Sequence, residues 1–116
     1  MIEKTVLDYL NTAGNLPSGV EAYMEVPEDT PERFITIEKT GGGIRDHICT
    51  ATLAVQAYGS TLYEAAELNE TVKALLGALA DASDDVGSCT LNSDYNFTDT
   101  STKRYRYQSV WNIVHY

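Results

Sequence analysis

The side chains able to do chemistry in this 116-residue chain are few, and their spacing fits no reaction centre. Cys49 and Cys89 lack the Cys-x-x-Cys spacing of metal sites and dithiols, and two cysteines are too few for a disulfide scaffold. Each falls in a run with strand character, where a free cysteine behaves as a small buried hydrophobe. No activating partner lies near either in sequence. His47 and His115 also fall in predicted strands and belong to no His-Glu-x-x-His pattern. No Gly-x-Ser-x-Gly elbow is present to expose a nucleophile. The seventeen carboxylates are abundant, but abundance does not place a general acid beside a base.

Two further runs invite a ligand. Gly41-Gly42-Gly43 has the composition of a phosphate-binding nest, yet no Gly-Lys-Ser/Thr follows and the next element is a strand, not a helix N-terminus. The triplet is therefore expected at the flexible tip of a hairpin spanning Thr40 to Asp46. Asp81 to Asp85 lacks the spaced oxygen ligands of a calcium loop and is expected to be solvated charge. No catalytic group, cofactor or metal is expected.

Lys103, Arg104 and Arg106 place three of the eight positive charges within four positions. On a strand, Arg104 and Arg106 would share one face, and flanked by Tyr105 and Tyr107 the run has the look of a basic-aromatic RNA platform. The net charge of −9 argues the other way, because such a surface repels phosphate backbones. The basic run is expected to be a solvated or intersubunit strand face that pairs with acidic neighbours, with no specific nucleic-acid binding.

The elements that must hold these residues read as follows. Ile2, Val6, Leu7 and Leu10 have helical spacing, and Asn11 to Gly19 breaks that helix. Val20 to Val26 alternates as a half-buried strand and ends at Pro27. A β-favouring run over 33–39 and another over 47–58 form a hairpin. Ser60 or Thr61 can cap the clearest helix, Glu64 lies three residues beyond Thr61 at capping-box spacing, and the apolar stripe is Leu62, Ala65, Ala66, Val72, Leu75, Leu76 and Leu79. A short strand over 86–91 precedes a long polar turn at 92–102, anchored by Tyr95 and Phe97. The last strand runs from Arg104 to Tyr116 and turns Tyr105, Tyr107, Trp111 and Ile113 to one side.

The expected fold is α+β. A mostly antiparallel sheet of four to five strands carries a long helix on one face and a short N-terminal helix, in one domain over 1–116. Apolar residues make up 43% and charged residues 22%, values that support a packed core. No apolar run approaches the ~20 residues of a membrane span. MIEKTVLDYL interleaves charge with apolar groups and shows no signal-peptide cleavage site, which leads us to expect an intracellular product.

Four stretches, Tyr23 to Pro27, Phe34 to Gly43, Leu62 to Glu70 and Leu91 to Asp99, together resemble small proteins from the head-tail assembly region of tailed phages and prophages. The order helix, two or three strands, long helix, two strands is similar to that of tail-terminator (tail-completion) proteins. The resemblance implies a ring of identical subunits, six in number, on the head-proximal end of the tail tube. That ring touches the tube protein and the head connector, and DNA passes through it. It implies location in the virion, and in the host cytoplasm during assembly. The alternatives are a head-closure or other connector protein and, less favoured, a small nucleic-acid-binding regulator. The segments expected at the interfaces are the tip, with Gly41, Gly42, Gly43 and Arg45, and the loop with Tyr95, Phe97 and Lys103, followed by Arg104 and Arg106.

Overall fold

A computed structural model describes residues 1–116. The chain forms α1 (Ile2–Leu10), β1 (Ala22–Tyr23), β2 (Phe34–Arg45), β3 (Ile48–Gly59), α2 (Leu62–Gly77), α3 (Leu79–Ala82), β4 (Val86–Asn96) and β5 (Tyr105–His115). The fold is α+β: a five-stranded mixed sheet with the order β1-β2-β3-β5-β4 and three helices. The β1-β2 pair is parallel, and the other three pairs are antiparallel.

The core lies between one face of the sheet and the helices. Ala51, Leu53, Val55 and Ala57 of β3, with Trp111 and Ile113 of β5, meet Leu68, Val72 and Leu76 of α2 and Leu79 of α3 in one cluster of 18 buried apolar residues. α1 adds Ile2, Val6 and Leu10, spaced to share one helical face. The Tyr9 hydroxyl ties this helix down by donating to the Leu75 carbonyl at 2.6 Å.

Local chemistry starts α2 where the sheet needs it. The Glu64 backbone N–H donates to Thr61 Oγ1 at 3.1 Å, while the Glu64 carboxylate accepts from the Ser60 backbone and hydroxyl, which holds its pKa below the usual range. The reciprocal cap thus reaches one residue further back than the capping-box spacing predicts. Gly59 makes the tight entry possible, since a Cβ there would stand 2.6 Å from the Ala65 nitrogen. The stripe holds at Ala65, Val72, Leu76 and Leu79, but Leu62 is exposed and the helix breaks at Ala78 before α3.

Several expectations are corrected. Only Ala22 and Tyr23 of the 20–26 run pair as a strand, and Met24 and Val26 are exposed. Asn11 substitutes for a neighbouring strand there: its side chain accepts from Ala22 N at 2.8 Å and donates to Ala22 O at 3.1 Å. Gly41, Gly42 and Gly43 are not a tip but rungs of β2, opposite Thr52, Ala51 and Thr50. The hairpin turns at Asp46 and His47, both at positive φ (52° and 66°), which is what a two-residue hairpin turn requires. His47 therefore sits in a turn, not a strand. Residues 92–96, expected in a loop, continue β4 past a register shift between Leu91 and Ser93.

Leu76 is fully buried on the α2 stripe. Leu76→Ala should lower the unfolding free energy by about 2–5 kcal/mol, read as a reduced urea midpoint with an unchanged slope.

Candidate functional site

The helices cover one sheet face only, so the other face must dry itself with its own side chains. Two transverse rows do this. In the first, the register sets Thr36 opposite Gln56, Gln56 opposite Gln108 and Gln108 opposite Tyr95. Thr36 Oγ1 donates to Gln56 Oε1 at 2.6 Å, Gln56 Nε2 to Gln108 Oε1, and Gln108 Nε2 to the Tyr95 hydroxyl at 2.6 Å. One directed hydrogen-bond chain therefore crosses four strands. Thr36, Gln56 and Gln108 are buried although no helix lies over them. Their polar atoms satisfy one another, as burial in a low-dielectric setting demands.

The second row lies one pleat away. Phe34 stacks on Tyr58 with centroids 4.2 Å apart, and Tyr23 meets Phe34 edge-on at 6.4 Å. Arg106 closes the row: its guanidinium lies 4.6 Å from the Phe97 centroid and 5.7 Å from that of Tyr58. Its Nη1 donates to the Tyr58 hydroxyl at 3.0 Å and its Nε to the Phe97 carbonyl at 2.8 Å. Tyr95 packs edge-on to Phe97 at 5.9 Å. A groove of about 340 Å³ opens above these rows, bounded by Met24, Glu25 and Val26 on one side and Phe97 and Arg106 on the other.

The predicted interface residues thus separate into two groups. Tyr95, Phe97 and Arg106 come together at one end of the sheet, while Gly41, Gly42, Gly43 and Arg45 occupy an arm at the opposite end. Cys49 and Tyr58 mark the two ends on β3, about 30 Å apart at ~3.3 Å per residue. Along the arm, residues 42–48 are all exposed, and Ile44 and Ile48 stand free at 73% and 45% exposure. Arg104 and Arg106 are two residues apart on extended backbone, paired through the backbone with Asp99 and Phe97 respectively. Arg104 precedes β5, with Lys103 beside it at φ 54°. Arg106 is half-buried and held by contacts within the chain, whereas Arg104 is exposed.

Sequence reasoning missed Thr36, Gln56 and Gln108. Their signal is a glutamine in the middle of each of two β-favouring runs, but register alone reveals that the two amides face each other. Elsewhere Asp94 links the sheet to α2, accepting from Lys73 Nζ and from Asn69 Nδ2, each at 3.1 Å. The Lys73 ammonium donates to Asp94 and also to Glu70, and these two carboxylates raise its pKa. Cys89 packs against the core, and burial pushes its thiol from 9.0 up to about 11. No three His, Cys, Asp or Glu side chains converge as a metal set.

Arg106→Ala should destabilise the fold by about 1–3 kcal/mol, because it strips a charged donor from two acceptors and a cation from two rings. Arg104→Ala should stay within about 0.5 kcal/mol of the parent in the same urea titration. At pH 8, iodoacetamide should label Cys89 far more slowly than a free thiol, followed by mass spectrometry. Because the folded state favours the neutral thiol, the Cys89 contribution to stability is complete below pH 9 and lost as pH rises through about 11. Cys89→Ala should remove that part of the alkaline decline.

Compared with known proteins, the chain matches no protein-family model and no curated protein.

Proposed function

We propose that this chain is a structural subunit of a tailed phage or prophage, a tail terminator that rings the head-proximal end of the tail tube and joins it to the head connector. The observation that carries the reading is the arm formed by the distal halves of β2 and β3. Its residues 42–48 are exposed, and Ile44 and Ile48 contribute nothing to the core. An exposed arm with an isoleucine on each face, outside the core, is better suited to a domain that associates than to a solitary one. The in-order resemblance over Tyr23–Pro27, Phe34–Gly43, Leu62–Glu70 and Leu91–Asp99 supplies the identity of the assembly. The net charge of −9 suits a channel that must let DNA pass without binding it.

The role follows from association alone. A heterologous contact repeated by rotation closes a ring, and the closed ring presents one face to the tube and the other to the connector. No bond is made or broken.

Purified protein mixed with isolated tail tubes should appear in negative-stain images as a ring at one end of each tube, and it should halt further tube growth. Binding to portal-containing heads without tubes would assign it instead to head closure. Binding to neither would overturn the proposal.

A further inference from the structure

Both outer strands of the sheet leave backbone groups without a strand partner. β1 pairs with β2 only at Ile35 and Thr36, so β2 from Ile37 to Arg45 has β3 on one side and no strand on the other. β4 pairs only with β5. Edge strands in solitary domains are kept short or guarded by lysine or proline. β4 is eleven residues long, has neither residue nor any arginine, and exposes Leu91 and Tyr95. On β2, Gly41 and Gly43 leave the backbone open, with no neighbour nearer than 3.9 and 3.5 Å to where a Cβ would stand.

We infer that a second copy of this chain fills each edge, β4 of one copy pairing antiparallel with the distal half of β2 in the next. Three features on the two strands select this arrangement. The first is polarity. β2, β3, β5 and β4 alternate in direction, so the two edges run oppositely, and a head-to-tail neighbour meets β2 in the antiparallel sense.

The second is register. Placing Lys39 opposite Asp94 brings opposite charges together on the helix-bearing face of both strands. Gly41 then meets Ser93, Gly42 meets Leu91, Gly43 meets Thr90, Ile44 meets Cys89 and Arg45 meets Ser88. The register irregularities of the two strands, between Lys39 and Gly41 and between Leu91 and Ser93, fall beside each other. Every rung keeps helix face with helix face, whereas a one-residue slip reverses them all.

The third is side-chain fit. Exposed Leu91 meets Gly42, where the only side chain nearby is the flexible end of Lys39, which swings toward Asp94, and exposed Ile44 gains Cys89 as an apolar neighbour. Arg45 points toward the Asp84-Asp85 end of the facing copy. This inference rests on the proposed self-association but not on the tail assignment, and its test uses the protein alone.

The test is Gly43→Cys combined with Thr90→Cys in a Cys49→Ala, Cys89→Ala background. Within one chain the two positions are three strand spacings apart, about 14 Å, beyond the ~7 Å reach of a disulfide. Mild oxidation should therefore give a ladder of covalent multimers on a non-reducing gel, collapsed by reductant. Neither single variant should give any species above a dimer, and the off-register pair Gly43→Cys with Ser88→Cys should give no ladder. A double variant that shows the parent circular dichroism yet stays monomeric would overturn the inference. So would Thr90→Cys alone dimerising as readily as the pair, which would indicate β4-β4 contact. Should the double variant fail to fold, Leu91→Lys serves instead: light scattering should show loss of the oligomer at unchanged circular dichroism, and intact assembly would refute the pairing.

Discussion

The hydrogen bond from Gln56 to Gln108 joins the two central strands on the face that no helix covers, and much of the molecule is arranged around that constraint. A sheet dried on one side only must either pair with something or cover its second face with its own side chains. Here the amide row does so at the middle of the sheet, and the Phe34-Tyr58-Arg106-Phe97 row does so at one end. Both rows depend on in-register antiparallel pairing of β2, β3, β5 and β4. Tyr58 and Arg106 are directly opposed, as are Gln56 and Gln108, so a slip of one rung would leave buried amides and a guanidinium without partners. The polar row thus specifies the register that the apolar core stabilises.

Opposite that face, the core explains why α2 lies where it does. β3 offers Ala51 and Ala57 among its core positions, small side chains that let the helix approach closely, and Gly59 lets the chain turn straight from the strand into it. The core ends where β3 emerges from under the helix: Leu53 to Tyr58 are buried, while Ile48 is exposed. Beyond that point the arm is held by backbone ladder bonds and little else. Segments with few buried apolar contacts open most readily, so the arm is the part of this fold whose order gains most from a partner.

How much of this was legible in the residues depends on how local each signal is. The α2 start was readable because Thr61 and Glu64 act within one turn, and the β3 alternation was readable because it has period two. The glycine triplet misled, since three glycines favour a turn when only local backbone freedom is weighed. The long-range pairing with Thr50 to Thr52 won, and the turn fell to Asp46 and His47. The second half of β4 was hidden for a related reason. Asn92 to Asn96 is composed like a loop, and it is a strand because Tyr95 and Asp94 are held by Gln108, Asn69 and Lys73, residues remote in sequence. Likewise, Arg104 and Arg106 look equivalent in sequence, but only Arg106 meets Phe97 and Tyr58, residues brought to it by the fold.

Those same non-local contacts divide the surface into parts with different duties. Arg106, Tyr58 and Phe97 are engaged with one another: two guanidinium nitrogens donate within the chain and the cation lies against both rings. The unspent hydrogen-bonding capacity lies instead in the outer backbone of β2 and β4, where it is sequence-independent and repeats along the strand. Backbone ladders of this kind give affinity, and the side chains that alternate along them give register. The proposed association through two oppositely directed edges of one sheet would need no movement of the core, because the packing that folds the subunit already sets the direction of both edges.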